Sequence, residues 1–235
     1  AAAQTLAERG AVPIVFEAAP QLGGRARRID YRGEVLDNGQ HILSGAYDTL
    51  LGLMARAGVS GEAMTRLPLR LSMPPSFRLD APRWPAPLHL AFGLLGAKGL
   101  AWADRFAAIR LMRFLQRRNY QLDPDVTIAA LLTQTGQTKA ATRFLWAPLA
   151  VAALNTPIDT ASARVFAAVL RDALGAKRSA SDLLLPRIDL SALYPDAAAR
   201  HIQPCGGEVR TGVRVRALQA NGRDVNIVTD NATER

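Results

Sequence analysis

Val15-Phe16-Glu17-Ala18-Ala19-Pro20-Gln21-Leu22-Gly23-Gly24-Arg25 is the stretch that decides the fold. It opens as the end of a short apolar strand, Val12 to Phe16, and that strand stops on an acid. Upstream, Ala1 to Glu8 is Ala-rich and helical in character, and Gly10 breaks that helix before the strand begins. Downstream, two glycines and an arginine follow the acid after a short spacer. The glycines let backbone approach a bulky ligand, and a guanidinium can meet a pyrophosphate or a flavin edge.

Helix, tight turn and acid-ended strand is the layout of a dinucleotide-binding fold. There the acid closing the second strand accepts hydrogen bonds from the adenosine ribose hydroxyls, and Glu17 holds that place. The glycine-rich turn G-x-G-x-x-G that usually comes first is absent, and it is expected to precede Ala1. Further along, Arg27 to Tyr31 and Glu34 to Leu36 flank Arg32-Gly33 as a hairpin, followed by Asp37-Asn38-Gly39-Gln40-His41 and a helix from about Tyr47 to Arg56.

Prolines at 68, 74, 75, 82, 85 and 87 exclude regular helix between Leu67 and Pro87 and mark a domain change. Leu88 to Leu115 reads as helix broken near Gly96 and Gly99, and Thr127–Thr133, Lys139–Ala153 and Ala161–Leu174 continue as helices. The Gly93, Gly96 and Gly99 spacing has no strand before it and reads as a kink, not a phosphate loop. Glu208–Arg210, Val213–Leu218 and Asp224–Thr229 return to short strands. The expected architecture is α/β with a helical insertion: residues 1–66 first, a helical substrate domain over 67–200, and a return over 201–235 that stops in mid-fold.

Composition sets outer bounds. A chain of 235 residues holds one large domain or two small ones. With 49% hydrophobic and 21% charged residues it is globular, and no apolar run nears the roughly 20 residues of a membrane-spanning helix. The single Cys205 excludes an internal disulfide and a Cys-rich zinc site, so no metal is expected, and it fits a reducing compartment, with the cytoplasm as default. The net charge of +9 suits nucleic acid, anionic lipid or a phosphorylated ligand. Nucleic acid is disfavoured because the cations are scattered through apolar helices without a recognised motif.

The segment from Val15 to Arg25 resembles the FAD segment of amine oxidases, protoporphyrinogen oxidases and carotenoid desaturases. Three further runs resemble the hydroxysqualene dehydroxylase family, once described as squalene-associated desaturases. They are Asp37 to His41, Leu145-Trp146-Ala147-Pro148-Leu149 with Ala153-Leu154-Asn155-Thr156-Pro157, and Leu184-Leu185-Pro186-Arg187-Ile188-Asp189-Leu190. The resemblance implies an FAD-binding, Rossmann-like domain of the glutathione-reductase type, truncated at both ends, and a reduced flavin that removes the hydroxyl of hydroxysqualene to give squalene for hopanoid synthesis.

By the same resemblance Glu17, Gly23, Gly24, Arg25, Asn38, Gly39, Gln40 and Val213 would contact FAD, Val213 through backbone facing the adenine. Asp37 or His41 would supply a proton beneath the isoalloxazine. Asp-Asn-Gly-Gln is also ordinary turn chemistry, and a lone histidine is more often a packed or capping residue.

On a helix from Asp104 to Arg118, Arg110, Arg113 and Arg117 share one face, while Ala108, Leu111, Met112 and Leu115 recur on another. With Trp84, Phe92, Trp102 and Phe106 nearby, this basic amphipathic helix is a candidate for resting on anionic lipid, as a peripheral protein on the inner membrane face, and admitting a long isoprenoid. The other readings are a desaturase or amine oxidase on the same fold, or a non-catalytic lipid- or nucleic-acid-binding module.

Overall fold

The computed structural model of the protein describes residues 1–39, 41–175, 177–222, 224–230 and 233–234. The chain divides into two compact units. The first comprises residues 1–43, 47–65 and 184–235, and the second residues 44–46 and 66–183.

The first unit opens with α1 (Ala2–Ala7), β1 (Ile14–Glu17), β2 (Arg28–Tyr31) and β3 (Glu34–Asp37). The chain leaves it briefly along β4 (Leu43–Ser44), returns for α2 (Asp48–Arg56), and leaves again within β5 (Met64–Leu67). The hairpin read from Arg32-Gly33 is formed: β2 and β3 pair antiparallel from Arg28↔Asp37 to Tyr31↔Glu34, with φ of 54° at Arg32 and 84° at Gly33. Two successive positive φ values are what a tight two-residue hairpin requires.

The second unit begins with the antiparallel pair β6 (Arg70–Met73) and β7 (Phe77–Asp80), so the proline-rich stretch is extended. Helices α3 (Leu88–Leu95), α4 (Trp102–Arg117), α5 (Ile128–Gln134), α6 (Lys139–Ala141), α7 (Ala147–Leu154) and α8 (Ala163–Leu170) follow. The break near Gly96 and Gly99 is real: α3 ends at Leu95, and a Cβ on Gly99 would meet the Ser76 carbonyl oxygen at 2.0 Å. Leu111, Leu115, Ile128, Phe166 and Ala167 are fully enclosed in one helical core with Phe77. Each large side chain so buried contributes about 1.5–3 kcal/mol.

The chain returns through β8 (Leu183–Pro186) to α9 (Leu190–Leu193), α10 (Pro195–Ile202), β9 (Glu208–Thr211), β10 (Val215–Asn221), β11 (Asp224–Thr229) and β12 (Thr233–Glu234). The units change at Thr65/Arg66 and again at Leu183/Leu184, against the sequence reading of 66/67 and 200/201. The second change comes early because Leu184, Leu190 and Leu193 pack with Leu43 and Met54, a core separate from the helical one.

β1 pairs in parallel with β9, from Ile14↔Glu208 to Glu17↔Thr211, and β10, β11 and β12 form an antiparallel sheet. Buried Gln4 on α1 knits the unit together: its Nε2 donates to the Leu53 carbonyl at 3.0 Å and its Oε1 accepts from the Tyr194 hydroxyl at 3.0 Å. Glu8 accepts from Arg56 Nε at 3.1 Å. Burial by itself would raise the Glu8 carboxyl, but the bonds from Gln4 and Arg56 outweigh it and hold it below the usual range.

Candidate functional site

β1 delivers Glu17 half-buried at its carboxyl end. The side chain is oriented by its own chain, Oε1 accepting from the Ala19 amide at 2.7 Å. The Glu17 carbonyl accepts from the Val213 amide at 3.0 Å, and the Ala19 carbonyl from the Gly212 amide at 3.0 Å. Two residues named separately from the sequence, Glu17 and Val213, are therefore neighbours. The Val213 N–H is spent on Glu17, so its carbonyl is what that backbone has left to offer a ligand.

The Gly-Gly-Arg loop follows. Gly23 has φ +110° and Gly24 φ +59°, both in the region that favours glycine. A Cβ on Gly23 would lie 2.6 Å from the Ala26 carbonyl oxygen and 3.1 Å from Arg27 Cβ, whereas one on Gly24 would meet nothing within 4 Å. Arg25 is exposed and has no acid partner among the described residues. Its carbonyl accepts from Asn38 Nδ2 at 3.2 Å, and the Asn38 amide donates to the Arg27 carbonyl at 2.8 Å. Asn38 thus ties the loop to the end of β3.

Beyond it, Gly39 turns the chain at φ +90°, and its amide bonds the Asp37 carbonyl at 2.8 Å. His41 Nδ1 lies 3.1 Å from the Gly39 carbonyl. A carbonyl only accepts, so Nδ1 carries the hydrogen and Nε2 is the nitrogen left for proton exchange. Gln40 lies outside the described residues. Gly23, Arg25, Ala26, Asn38 and His41 together line one open depression of about 560 Å³.

Asp37 is placed differently. Its Oδ1 accepts from the Leu190 amide at 2.8 Å, in the first turn of α9. The carboxylate is thereby a fastener between β3 and α9, a contact from 153 residues away that the local run does not announce.

Four residues to which the sequence reading gave no role complete the scaffold. Arg28 Nη1 reaches Asp196 Oδ2 at 3.1 Å and Asp189 Oδ1 at 3.5 Å, and the Arg28 amide donates to Ser191 Oγ at 3.1 Å. Asp189 also accepts from the Ala192 amide at 2.9 Å as the cap of α9. A second, apolar groove of about 690 Å³ runs along α1, β1 and α10, with Phe16, Leu22, Tyr194, Ile202 and Val209 in its walls. Among the described residues no cluster of His, Cys, Asp or Glu is fit to hold a metal ion.

These residues suit a dinucleotide carrying a flavin. An oriented carboxylate ends a parallel strand, a glycine whose missing Cβ is forced by space starts the next loop, and an unpaired guanidinium stands in a polar depression.

The class is confirmed by comparison with known proteins. The model of the flavin containing amine oxidoreductase family matches residues 1–235, and the chain belongs to that family, so its cofactor is FAD. No curated protein matches the chain.

Solved structures share the fold at low identity. An oxidoreductase from Methanosarcina mazei matches at 17% identity and TM-score 0.66, over 99% of this chain and 53% of its own. A fatty acid isomerase from P. acnes matches at 16% and 0.61, over 99% and 53%. An engineered putrescine oxidase matches at 16% and 0.58, over 97% and 52%. The chain spans about half the length of these relatives.

Proposed function

We propose that the whole protein is an FAD-dependent oxidoreductase that converts hydroxysqualene to squalene in hopanoid biosynthesis. The C–O bond of the alcohol breaks, a C–H bond forms in its place, and the oxygen leaves as water. The observation that carries this reading is the gathering of Gly23, Arg25, Asn38 and His41 around one depression, in a chain whose motif runs resemble hydroxysqualene dehydroxylases. The fold neighbour that is a fatty acid isomerase supports a long, oily substrate.

When bound, the flavin supplies the hydride. The chain does the rest. Glu17 and the Val213 carbonyl hold the adenosine end, while Gly23 and Gly24 let backbone come close and Arg25 neutralises the pyrophosphate. Asn38 and Gly39 would border the flavin ring. His41 takes up a proton from solvent on Nε2 and passes it to the departing oxygen, its Nδ1 hydrogen staying on the Gly39 carbonyl. Asp37 shares the motif but acts by positioning, since its carboxylate is taken by the α9 amide. Exposed Cys205 suits a reducing compartment, and the cytoplasm is the proposed location.

The test is an absorbance spectrum of the purified full-length protein, then anaerobic turnover of hydroxysqualene with reduced FAD and mass spectrometry of the product. Flavin bands and squalene are expected. Flavin without squalene sinks the substrate, and absence of flavin sinks the cofactor reading. The second reading, oxidation of an amine, is favoured by the family and by the putrescine oxidase neighbour, and release of hydrogen peroxide with putrescine would establish it. Product analysis with phytoene covers a carotenoid desaturase on the same fold.

A further inference from the structure

The second unit exposes an apolar face that its own core does not use. On α3, Leu88, Phe92 and Leu95 recur at helical spacing and are 49%, 45% and 39% exposed, while His89 and Gly93 on the other side are buried. Trp84, 47% exposed, is locked against Phe92, their ring centroids 4.4 Å apart at 70°. At the start of α4, Trp102 and Phe106 are each 60% exposed with ring centroids 6.2 Å apart. Arg105 joins the two groups: its guanidinium sits 4.7 Å over Trp102 and donates to the carbonyls of Leu95, the last residue of α3, and of Ala97 just beyond it.

Four aromatic rings and two leucines left in water are more than scattered surface residues explain. The charge around them has one sign. From Ala81 to Ala103 the chain holds Arg83 and Lys98, both exposed, and no acid. The acids bounding this stretch are engaged: Asp80 with Arg70 and Arg78, and buried Asp104 with the Ala101 amide at 2.7 Å. Among the described residues no helix is long and apolar enough to cross a membrane.

We propose that this face docks on the surface of an anionic lipid bilayer. The rings and leucines enter the boundary between headgroups and acyl chains, and Arg83 and Lys98 meet the phosphates. This relocates the lipid contact expected on the Arg110, Arg113 and Arg117 face of α4. Arg110 is withdrawn from that face, because Nε donates to the Thr135 carbonyl at 2.8 Å and Nη2 to the Gly136 carbonyl, closing the end of α5. The membrane proposal deepens the reading of an oily substrate, yet it stands or falls without turnover.

The experiment is flotation of the full-length protein with vesicles of equal parts phosphatidylcholine and phosphatidylglycerol, and with phosphatidylcholine alone. Binding to the anionic vesicles that weakens with salt is expected. Lipids brominated near the headgroup should quench the tryptophan emission, since Trp84 and Trp102 are exposed and Trp146 is 4% exposed in the core. Leu88→Asp and Phe92→Asp should each lower vesicle affinity by about tenfold or more. Val165→Asp, at a comparably exposed but isolated position on α8, should leave it unchanged. Failure of the unaltered protein to float, or equal loss with Val165→Asp, overturns the proposal. So does self-association abolished by Phe92→Asp in a protein that ignores vesicles, which would make the face an interface between copies. The quenching experiment needs no variant, so misfolding of a substituted chain leaves the test intact.

Discussion

Replacing Gly23 and Gly24 by alanine, one at a time, separates two reasons for a glycine that a sequence shows as identical neighbours. Gly24→Ala places an L-residue at φ +59° with open space around its Cβ. Left-handed backbone costs about 1–2 kcal/mol, and the reduced freedom of the unfolded chain returns about 0.4–1 kcal/mol. The net loss is about 1.6 kcal/mol at most.

Gly23→Ala adds a collision to a rarer conformation, φ +110° with the Ala26 carbonyl oxygen 2.6 Å from the new carbon. That oxygen is backbone, in the turn that the Ala26 amide closes on the Gly23 carbonyl at 3.0 Å, so it cannot yield as the end of a flexible side chain would. Strained backbone costs about 1–3 kcal/mol and overpacking another 1–3 or so. After the unfolded-state offset the loss is roughly 1–5.5 kcal/mol. At about 2–4 °C per kcal/mol for a chain of this size, Tm should fall by roughly 2–20 °C for Gly23→Ala and by about 6 °C or less for Gly24→Ala, with the larger fall for Gly23→Ala. Thermal unfolding followed by circular dichroism measures both, and flavin absorbance after gel filtration reports whether the loop still holds the cofactor. Equal Tm shifts for the two variants would refute the argument that close approach, and not conformation alone, fixes Gly23.

Three further outcomes follow from burial and hydrogen bonding. Phe166→Ala empties a position that is 0% exposed in the helical core and should cost about 3–5 kcal/mol in urea unfolding, where Ile→Val-sized losses would contradict the packing described. Asp37→Ala removes the acceptor of the Leu190 amide and should cost about 0.5–2 kcal/mol, with Asp37→Asn recovering most of it because an amide oxygen still accepts. His89 is 1% exposed; Ser181 Oγ donates to the Arg178 carbonyl at 2.9 Å, so His89 Nε2 donates to Ser181 Oγ at 3.0 Å and the buried Nδ1 is bare. Burial first, and the Arg178 charge second, push its pKa below the ordinary 6.5. The unfolded chain therefore takes up the proton more readily: stability is full above pH 6.5 and declines as pH falls below it, by at most about 1.4 kcal/mol per pH unit until the folded pKa is passed. His89→Gln should flatten that slope between pH 6.5 and the carboxylate range, and an unchanged slope would assign it to other groups.

Local patterns in the sequence carried a good share of the fold. The Arg32-Gly33 hairpin, the strand ending on Glu17 and the helix break before Gly99 each depend on residues within a few positions of one another, and each forms. Glu17 and Val213 were both read as cofactor contacts, but that one bonds the other is a property of the β1–β9 pairing, which no local run encodes. The same limit hid the partners of Asp37 and Arg28, which lie on α9 and α10 and are joined only by tertiary packing. Arg110 looked like one cation of a free row because helical periodicity counts faces and not neighbours. The carbonyls that claim it, of Thr135 and Gly136, follow the end of a different helix.

The two units differ in how their chain is drawn. The second is nearly all one continuous run, residues 66–183, while the first is assembled from residues 1–43, 47–65 and 184–235. During synthesis, at roughly 5–20 residues per second, the helical unit has its whole core in hand as soon as Leu183 has left the ribosome. The first unit at that moment still lacks α9, α10 and β9, the elements that receive Asp37, Arg28 and the β1 edge. The cofactor loop therefore gains these partners only after the helical unit is complete. A nascent chain arrested before Leu184 is expected to carry a protease-resistant helical unit behind an unfinished, cleavable amino-terminal segment.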